Sequence, residues 1–415
     1  MTIKVVKRAR RSLTHVGGEV TLGGDDDAAR LLAASLDVPP SVSADERGEG
    51  LDRAHVHGFH TYPARMHPQT ARRLVEAFAP AGGTVLDPFC GSGTVLVEAM
   101  LAGRAARGTD LNPLAVELAS LKTRLCASEE LDALVDGARE VAVHAELRRK
   151  ARAGATRRYP PDDVALFEPH VLLELDGLRD GIATGRPELR APLLLVLSAL
   201  IGKVSKKEGD TSARVAPRRT AAGYTSKLFV KKAEELAHRL GELARLLPRP
   251  TPKVSVTLDD ATRLRTVAAS TVDVAITSPP YVATYDYLQH HALRMRWLDL
   301  DTRAFEKGEL GARRRFARLN PDEARRAWAD ELGNVLRAIA RTLKPRGKLV
   351  LLIADSAVGQ AALRAQEIVA DIAPACGLEP FARASQARPH FHGPTAAVFA
   401  KAPRAEHALL LVKKS

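Results

Sequence analysis

The sequence predicts a doubly wound, mostly parallel α/β sheet interrupted by a helical insertion. Three observations carry the prediction: a strand-loop-helix-strand run at 84–110, a block of helical periodicity at about 127–250, and strand-like runs that resume at Val254. With 415 residues and 45% hydrophobic content, the chain can build one large α/β core and an accessory one, so two domains are the starting expectation.

Taken in order, residues 1–50 mix Gly, Asp and Arg with little periodicity beyond a short helix at 27–36, and are expected to be a flexible N-terminal extension. From Tyr62 the pattern changes. Pro68 suits a helix start, and Leu74, Val75 and Phe78 fall on one face of the turns that follow. TVLD at 84–87 reads as a strand, PFCGSG as a loop, 94–101 as an apolar helix, the run ending at Asp110 as a second strand and 113–125 as another helix. Residues 51–126 thus form the first half of the core. Periodic Leu and Ala at 131–147, 164–182, 189–204 and 229–247, without strand alternation, make 127–250 the helical insertion. Strand-like runs at 254–260, 272–281, 348–356 and 407–414 make 251–415 the second half. No internal repeat is evident.

Composition narrows the partners. Lys+Arg number 62 against 49 Asp+Glu, a formal charge of +13 that suits a polyanion but also fits a merely solvated basic surface. The three cysteines, Cys90, Cys126 and Cys376, lie far apart with no paired spacing for zinc or a disulfide framework, so a reducing cytoplasm is expected. The basic N-terminus lacks the apolar run of a signal peptide, and the longest apolar stretch, 193–201, is too short to span a bilayer. No membrane partner is expected.

The glycine loop is the first chemical signal. Small residues after a strand let the backbone approach a ligand, and the following helix offers unpaired N–H groups. DPFCGSGT supplies Gly91 and Gly93, and Asp110 ends the next strand, where a carboxylate can accept from both ribose hydroxyls of an adenosine. A dinucleotide enzyme would carry a third glycine where this chain has Leu96, and no P-loop lysine follows. A phosphate-free nucleoside fits better.

Those residues carry a resemblance. DPFCGSGT at 87–94 is similar to the cofactor motif of DNA amino-methyltransferases, TDLNP at 109–113 to their next motif, and HTYPARMHPQ at 60–69 to the segment that encloses the methionine end of the cofactor. The resemblance implies a Rossmann-like methyltransferase sheet with S-adenosylmethionine held by Tyr62, Pro63, Arg65, Asp87, Pro88, Phe89, Gly91, Ser92, Gly93, Thr94, Asp110, Leu111, Asn112, Asp260 and Ala261. By the same carry-over, Asp260 in LDDAT accepts a hydrogen bond from the adenine amino group. Residues 51–126 become the cofactor-binding half and 251–415 the catalytic half.

TSPPY at 277–281 is the most specific short signal. Pro279 and Pro280 stiffen a strand exit and remove two N–H donors, leaving outward carbonyls. An aromatic amino group is a poor nucleophile because its lone pair is delocalised. Ser278 and the Pro279 carbonyl can take up its two hydrogens, letting the nitrogen pyramidalise towards a methyl donor. Tyr281 would stack on a base flipped out of the duplex. In the family, Ser before the prolines resembles the N4-cytosine branch, whereas Asp or Asn is commoner in N6-adenine enzymes, with exceptions that keep adenine open. Cys90 lies inside the glycine loop rather than after the prolines, which argues against a thiolate nucleophile for carbon-5 methylation.

Target contact is expected from the basic loop: Lys203, Lys206, Lys207, Arg214, Arg218, Arg219 and Lys227, with Tyr224 interleaved. ARRRF at 312–316 is a second candidate, and RPHFHGP at 388–394 resembles a family position near the target base. Tyr285, Tyr287 and Trp297 are read as base-pocket or packing residues. His55, His57, His60 and His67 lack a matching Cys or carboxylate spacing, so no metal is expected. The function implied is site-specific methylation of DNA, N4 of cytosine favoured over N6 of adenine, in a monomer or dimer with a cognate restriction endonuclease as a further partner. The alternatives are an RNA base amino-methyltransferase, an inactive nucleic-acid-binding protein of the same fold, and, more distantly, an NAD-dependent oxidoreductase.

Overall fold

A computed structural model describes residues 18–38, 51–208, 214–389 and 393–414. In chain order, β1 (Val20–Gly24) and α1 (Asp26–Leu36) precede α2 (Pro68–Phe78), β2 (Thr84–Asp87), α3 (Thr94–Leu101), β3 (Ala105–Asp110) and α4 (Pro113–Lys122). The insertion holds α5 (Ser128–Lys150), α6 (Pro161–Ala165), α7 (Pro169–Thr184), α8 (Arg190–Val204) and α9 (Tyr224–Leu246). Next come β4 (Val254–Leu258), β5 (Val272–Thr277), α10 (Tyr287–Trp297), α11 (Arg303–Gly308), α12 (Arg313–Phe316) and α13 (Pro321–Thr342). The chain ends with β6 (Leu343–Ala354), β7 (Ser356–Val358), β8 (Ala361–Leu363), α14 (Ala365–Ile372), β9 (Leu378–Ala387) and β10 (Ala405–Lys413).

Among the described residues the main sheet has eight strands in the order β1-β9-β10-β6-β5-β2-β3-β4. Strands β2 to β6 are parallel, while β10 runs antiparallel to both β6 and β9. The chain winds outward from β2 through β3 to β4, then returns to β5 and winds the other way. The β2/β5 boundary is therefore a switch point, where a crevice opens beyond the carboxyl ends of the strands.

Successive side chains on the central strands go to opposite faces, as the pleat requires. Val85, Val274 and Ile276 pack with Leu74, Val75 and Phe78 of α2. Leu86 and Ala275 pack on the other face with Leu336 and Ile339 of α13. Among the described residues the insertion has no separate core: Leu175, Leu197, Phe229 and Leu236 join Val97, Leu114 and Leu118 of α3 and α4 in one cluster. Burial of that shared apolar surface fixes the helical block against the cofactor half.

Three expectations are corrected. The segment taken as part of a flexible extension supplies β1, paired antiparallel with β9, and the helix expected at 27–36 forms as α1 but packs on the core through its buried Leu32 and Leu36. Its short glycine-bearing strand gains order from the sheet edge, which no local pattern encodes. The helix expected at 164–182 is two, because Pro169 starts α7 and leaves Glu168 extended. LEPFARASQA, not foreseen as a strand, forms β9, whose burial follows from β1 and β10 on either side.

Candidate active site

The loop after β2 turns through Gly91, at φ +49°, and Gly93, at φ +84°, into α3. A Cβ at Gly93 would also meet Cα of Ala119 at 3.1 Å, so the glycine lets α3 approach α4. Gly93 N-caps α3 but does not line the cavity beside the loop, and neither does Pro63. The other predicted cofactor residues do line it, from Tyr62 and Arg65 through Asp87–Ser92, Thr94 and Asp110–Asn112 to Asp260 and Ala261.

Asp110 organises this wall. Its Oδ2 accepts from the Gly91 N–H at 2.9 Å and its Oδ1 from the Asn112 N–H at 2.9 Å. Asn112 then caps α4, accepting from the Leu114 N–H at 3.0 Å, and donates from Nδ2 to the Tyr62 hydroxyl at 3.2 Å. Tyr62 stacks on His291 at 4.6 Å and sits 3.3 Å from where a Cβ on Gly91 would lie. Burial pushes the Asp110 carboxyl up to about 6, against the pull of the backbone N–H groups that favour its ionised form. Arg65 donates to the carbonyls of His57 and Asp52, bracing its own segment.

These residues fit S-adenosylmethionine. Besides the Asp110 carboxylate, the hydroxyls of Ser92 and Thr94 are buried in the lining without a hydrogen-bond partner among the described residues. Asp260 lies in the lining with Oδ1 accepting from Thr262, while its neighbour Asp259 is buried and spent on Thr266. Met66, from the HTYPARMHPQ segment, also lines the walls, together with Phe305, Glu309 and Leu310, which no sequence motif announced.

Asp87 couples the glycine loop to the serine turn. Its Oδ1 accepts from the Thr277 hydroxyl at 2.6 Å and the Phe89 N–H at 3.1 Å, and burial pushes its carboxyl up to about 7. Ser278 consequently lines the cofactor cavity and also a second, adjoining one. Pro280 faces the first; Pro279 and Tyr281 face the second, with Tyr285, Tyr287, Arg388, Arg404 and Glu406. A polar chain runs through this second wall. The Ser278 hydroxyl donates to the Tyr281 hydroxyl at 3.5 Å, Tyr281 donates to Glu406 Oε1 at 3.0 Å, and Arg388 Nε donates to Glu406 Oε2 at 3.0 Å.

Other predicted residues fall elsewhere. Trp297 is a core residue, fully buried and stacked on Tyr159 at 4.9 Å. In ARRRF, Arg314 is tied to Asp286 and Glu309 and Arg315 to Glu331, leaving Arg313 at a third cavity with Thr284, Tyr285 and Arg404. His390 and His392 lie outside the described residues. In the basic loop, Lys203, Arg214, Arg218, Arg219, Tyr224 and Lys227 are exposed, Lys206 pairs with Glu168 at 3.4 Å, and Lys207 is half-buried near His291. Burial pushes the Cys90 thiol up, opposing a thiolate.

The histidines are braces and caps. His57 Nε2 meets Glu98 at 2.8 Å, His60 Nε2 meets Ser198 at 3.0 Å, and His67 Nδ1 accepts from the Gln69 N–H at 3.2 Å. Ligand atoms of His55, His57 and Glu98 come within 4.8 Å of one another. Lys122 adds to the burial that lowers both histidines, with His55 brought to about 4, and such cationic surroundings oppose a further cation. Among the described residues no helix is long and apolar enough to cross a membrane.

Residues 38–121 match the family described as DNA methylase. Type II methyltransferase M.MvaI of Kocuria varians is 42% identical over 71 residues, 16% of this chain and 16% of that protein. The tRNA (guanine(10)-N2)-dimethyltransferase of Methanothermobacter thermautotrophicus is 42% identical over 66 residues, 16% of this chain and 19% of that protein. These matches span less than a fifth of each relative. Among solved structures, the rRNA methyltransferase aviRa of Streptomyces viridochromogenes aligns with 85% of this chain and 88% of its own at 14% identity and a TM-score of 0.34.

Proposed function

Since residues 38–121 carry the DNA amino-methyltransferase family signature, we propose that this chain methylates the exocyclic amino group of a DNA base, N4 of cytosine in preference to N6 of adenine. S-adenosylmethionine, when bound, supplies an electrophilic methyl group on a sulfonium. The observation that carries the reading is Ser278, a wall common to the cavity of Asp110 and Asp260 and to the adjoining polar cavity.

The chain's residues divide the work. Asp110 accepts from the ribose hydroxyls and Asp260 from the adenine amino group, which orients the donor. Ser278 Oγ and the Pro279 carbonyl accept the two N–H bonds of the target amino group, drawing the nitrogen out of conjugation. Ser278 can accept with its own proton turned towards the Tyr281 hydroxyl, 3.5 Å away. The target base leaves the duplex to reach this wall, with Tyr281 as its stacking partner. The exposed cations of the basic loop contact phosphates and set the salt dependence of binding.

Tritiated S-adenosylmethionine and amplified, methyl-free genomic DNA test the reading. Ser278→Ala should cut methyl transfer by about 100-fold and leave cofactor affinity unchanged; transfer at the wild-type rate would refute the assignment of Ser278. A second reading, methylation of an RNA amino group, draws on the similarity to the tRNA dimethyltransferase. Matched DNA and RNA substrates separate the two. The first reading extends to cytoplasmic DNA and to a cognate restriction endonuclease as partner, a pairing suggested by the type II name of M.MvaI.

A further inference from the structure

We propose that Arg404 selects cytosine as the target, its two terminal guanidinium nitrogens donating to cytosine N3 and O2 while Ser278 and Pro279 hold the N4 amino group. This rests on the amino-methyltransferase reading and adds to it the residue that identifies the base.

Arg404 is only 7% exposed, yet its single side-chain hydrogen bond among the described residues runs from Nε to the Asp355 carbonyl at 2.8 Å. Its terminal nitrogens meet no acceptor there. The terminal nitrogens of this largely buried side chain are open to the cavity, where a ligand that brings fixed acceptors can take the place of water. Arg404 lines the cavity that also holds Ser278, Pro279, Tyr281 and Glu406.

The neighbouring carboxylate does not satisfy it. Glu406 already accepts from Tyr281 and from Arg388, which lies just beyond the end of β9, where its N–H donates to the Arg404 carbonyl at 2.8 Å. Arg404 immediately precedes β10 and Glu406 is two residues on, and both line the same cavity. The carboxylate that fixes Tyr281, and through it Ser278, is thus followed along one wall by an unmatched pair of donors.

Base chemistry decides what fits. Beside its amino group, cytosine presents two successive acceptors, N3 and O2, spaced much like the oxygens of a carboxylate, the partner a guanidinium fork grips best. Adenine offers one acceptor, N1, followed by a C–H, which leaves the second donor unmatched. Guanine sets an N1–H donor beside its amino group, facing a donor. A phosphate would remain with the backbone at the cavity mouth, away from a guanidinium this buried.

The test uses the full chain, S-adenosylmethionine and amplified, methyl-free genomic DNA, with mass spectrometry of the product nucleosides. The wild type should yield N4-methyldeoxycytidine. Arg404→Met should lower kcat/KM by about 100-fold, and Arg404→Lys, which keeps charge but loses the fork, by about tenfold. Both should bind S-adenosylmethionine as the wild type does, a readout that also reports folding; if the Met variant loses that binding, the Lys variant decides. N6-methyldeoxyadenosine from the wild type, or undiminished cytosine methylation by Arg404→Lys, overturns the inference and leaves amino-methylation standing. Transfer by the wild type to neither DNA nor RNA overturns the functional reading beneath it.

Discussion

Asp110 accepts from the Gly91 and Asn112 N–H groups, and in the proposed complex from ribose hydroxyls too. The ionised carboxylate does this best, but burial has raised its pKa to about 6. Cofactor affinity should therefore fall as pH drops through 6, by about tenfold between pH 7 and pH 5. Calorimetric titration with S-adenosylmethionine across that range checks it; Asp110→Asn should bind weakly and show no such pH dependence. Stability without cofactor carries the opposite sign. Asp87, at about 7, and Asp110 hold protons in the folded chain that the unfolded chain has released. Their contribution is complete below about pH 4 and is lost as pH rises through 6 and 7. A melting temperature that falls from pH 5 to pH 8, and falls less in Asp110→Asn, would express this.

Between β2 and α3 the chain reverses in a few residues, and Gly93 meets two demands there: a left-handed backbone at φ +84° and close contact with Ala119 of α4. Gly93→Ala should cost roughly 1–3 kcal/mol, read as a lower urea midpoint, and should weaken cofactor binding by tilting the start of α3. Wild-type affinity and midpoint would show that the junction yields. This junction was legible in the sequence because tight turns and helix starts use few residue types, and the serine turn was legible because two prolines restrict the backbone on their own. Glu406 and Arg404 gave no such signal. They flank an apolar run, and nothing local distinguishes a polar residue at a strand start from one in a cavity wall.

The molecule as a whole is less modular than its composition suggests. Helices of the insertion share a core with α3 and α4, and β1 with α1 closes the far sheet edge. Removing residues 1–38 would take away the buried Leu32 and Leu36, uncover strand β9, and strip the Thr70 hydroxyl of the Ser35 carbonyl to which it donates at 2.8 Å. The truncated chain should lose on the order of 5 kcal/mol, measured by urea denaturation; an unchanged midpoint would mean that this edge contributes little.

Sequence alone determined the parallel sheet, the helical insertion, the glycine loop with its acidic partner and the serine turn, because each is written in residues within a few positions of one another. Tertiary structure decided what met across the crevice. Asp87 bonded to Thr277, Ser278 set between two cavities, and Arg404 set in the wall of the second are outcomes of how distant strands align in one sheet. That alignment is fixed by the collective burial of apolar faces, which no short stretch of chain encodes.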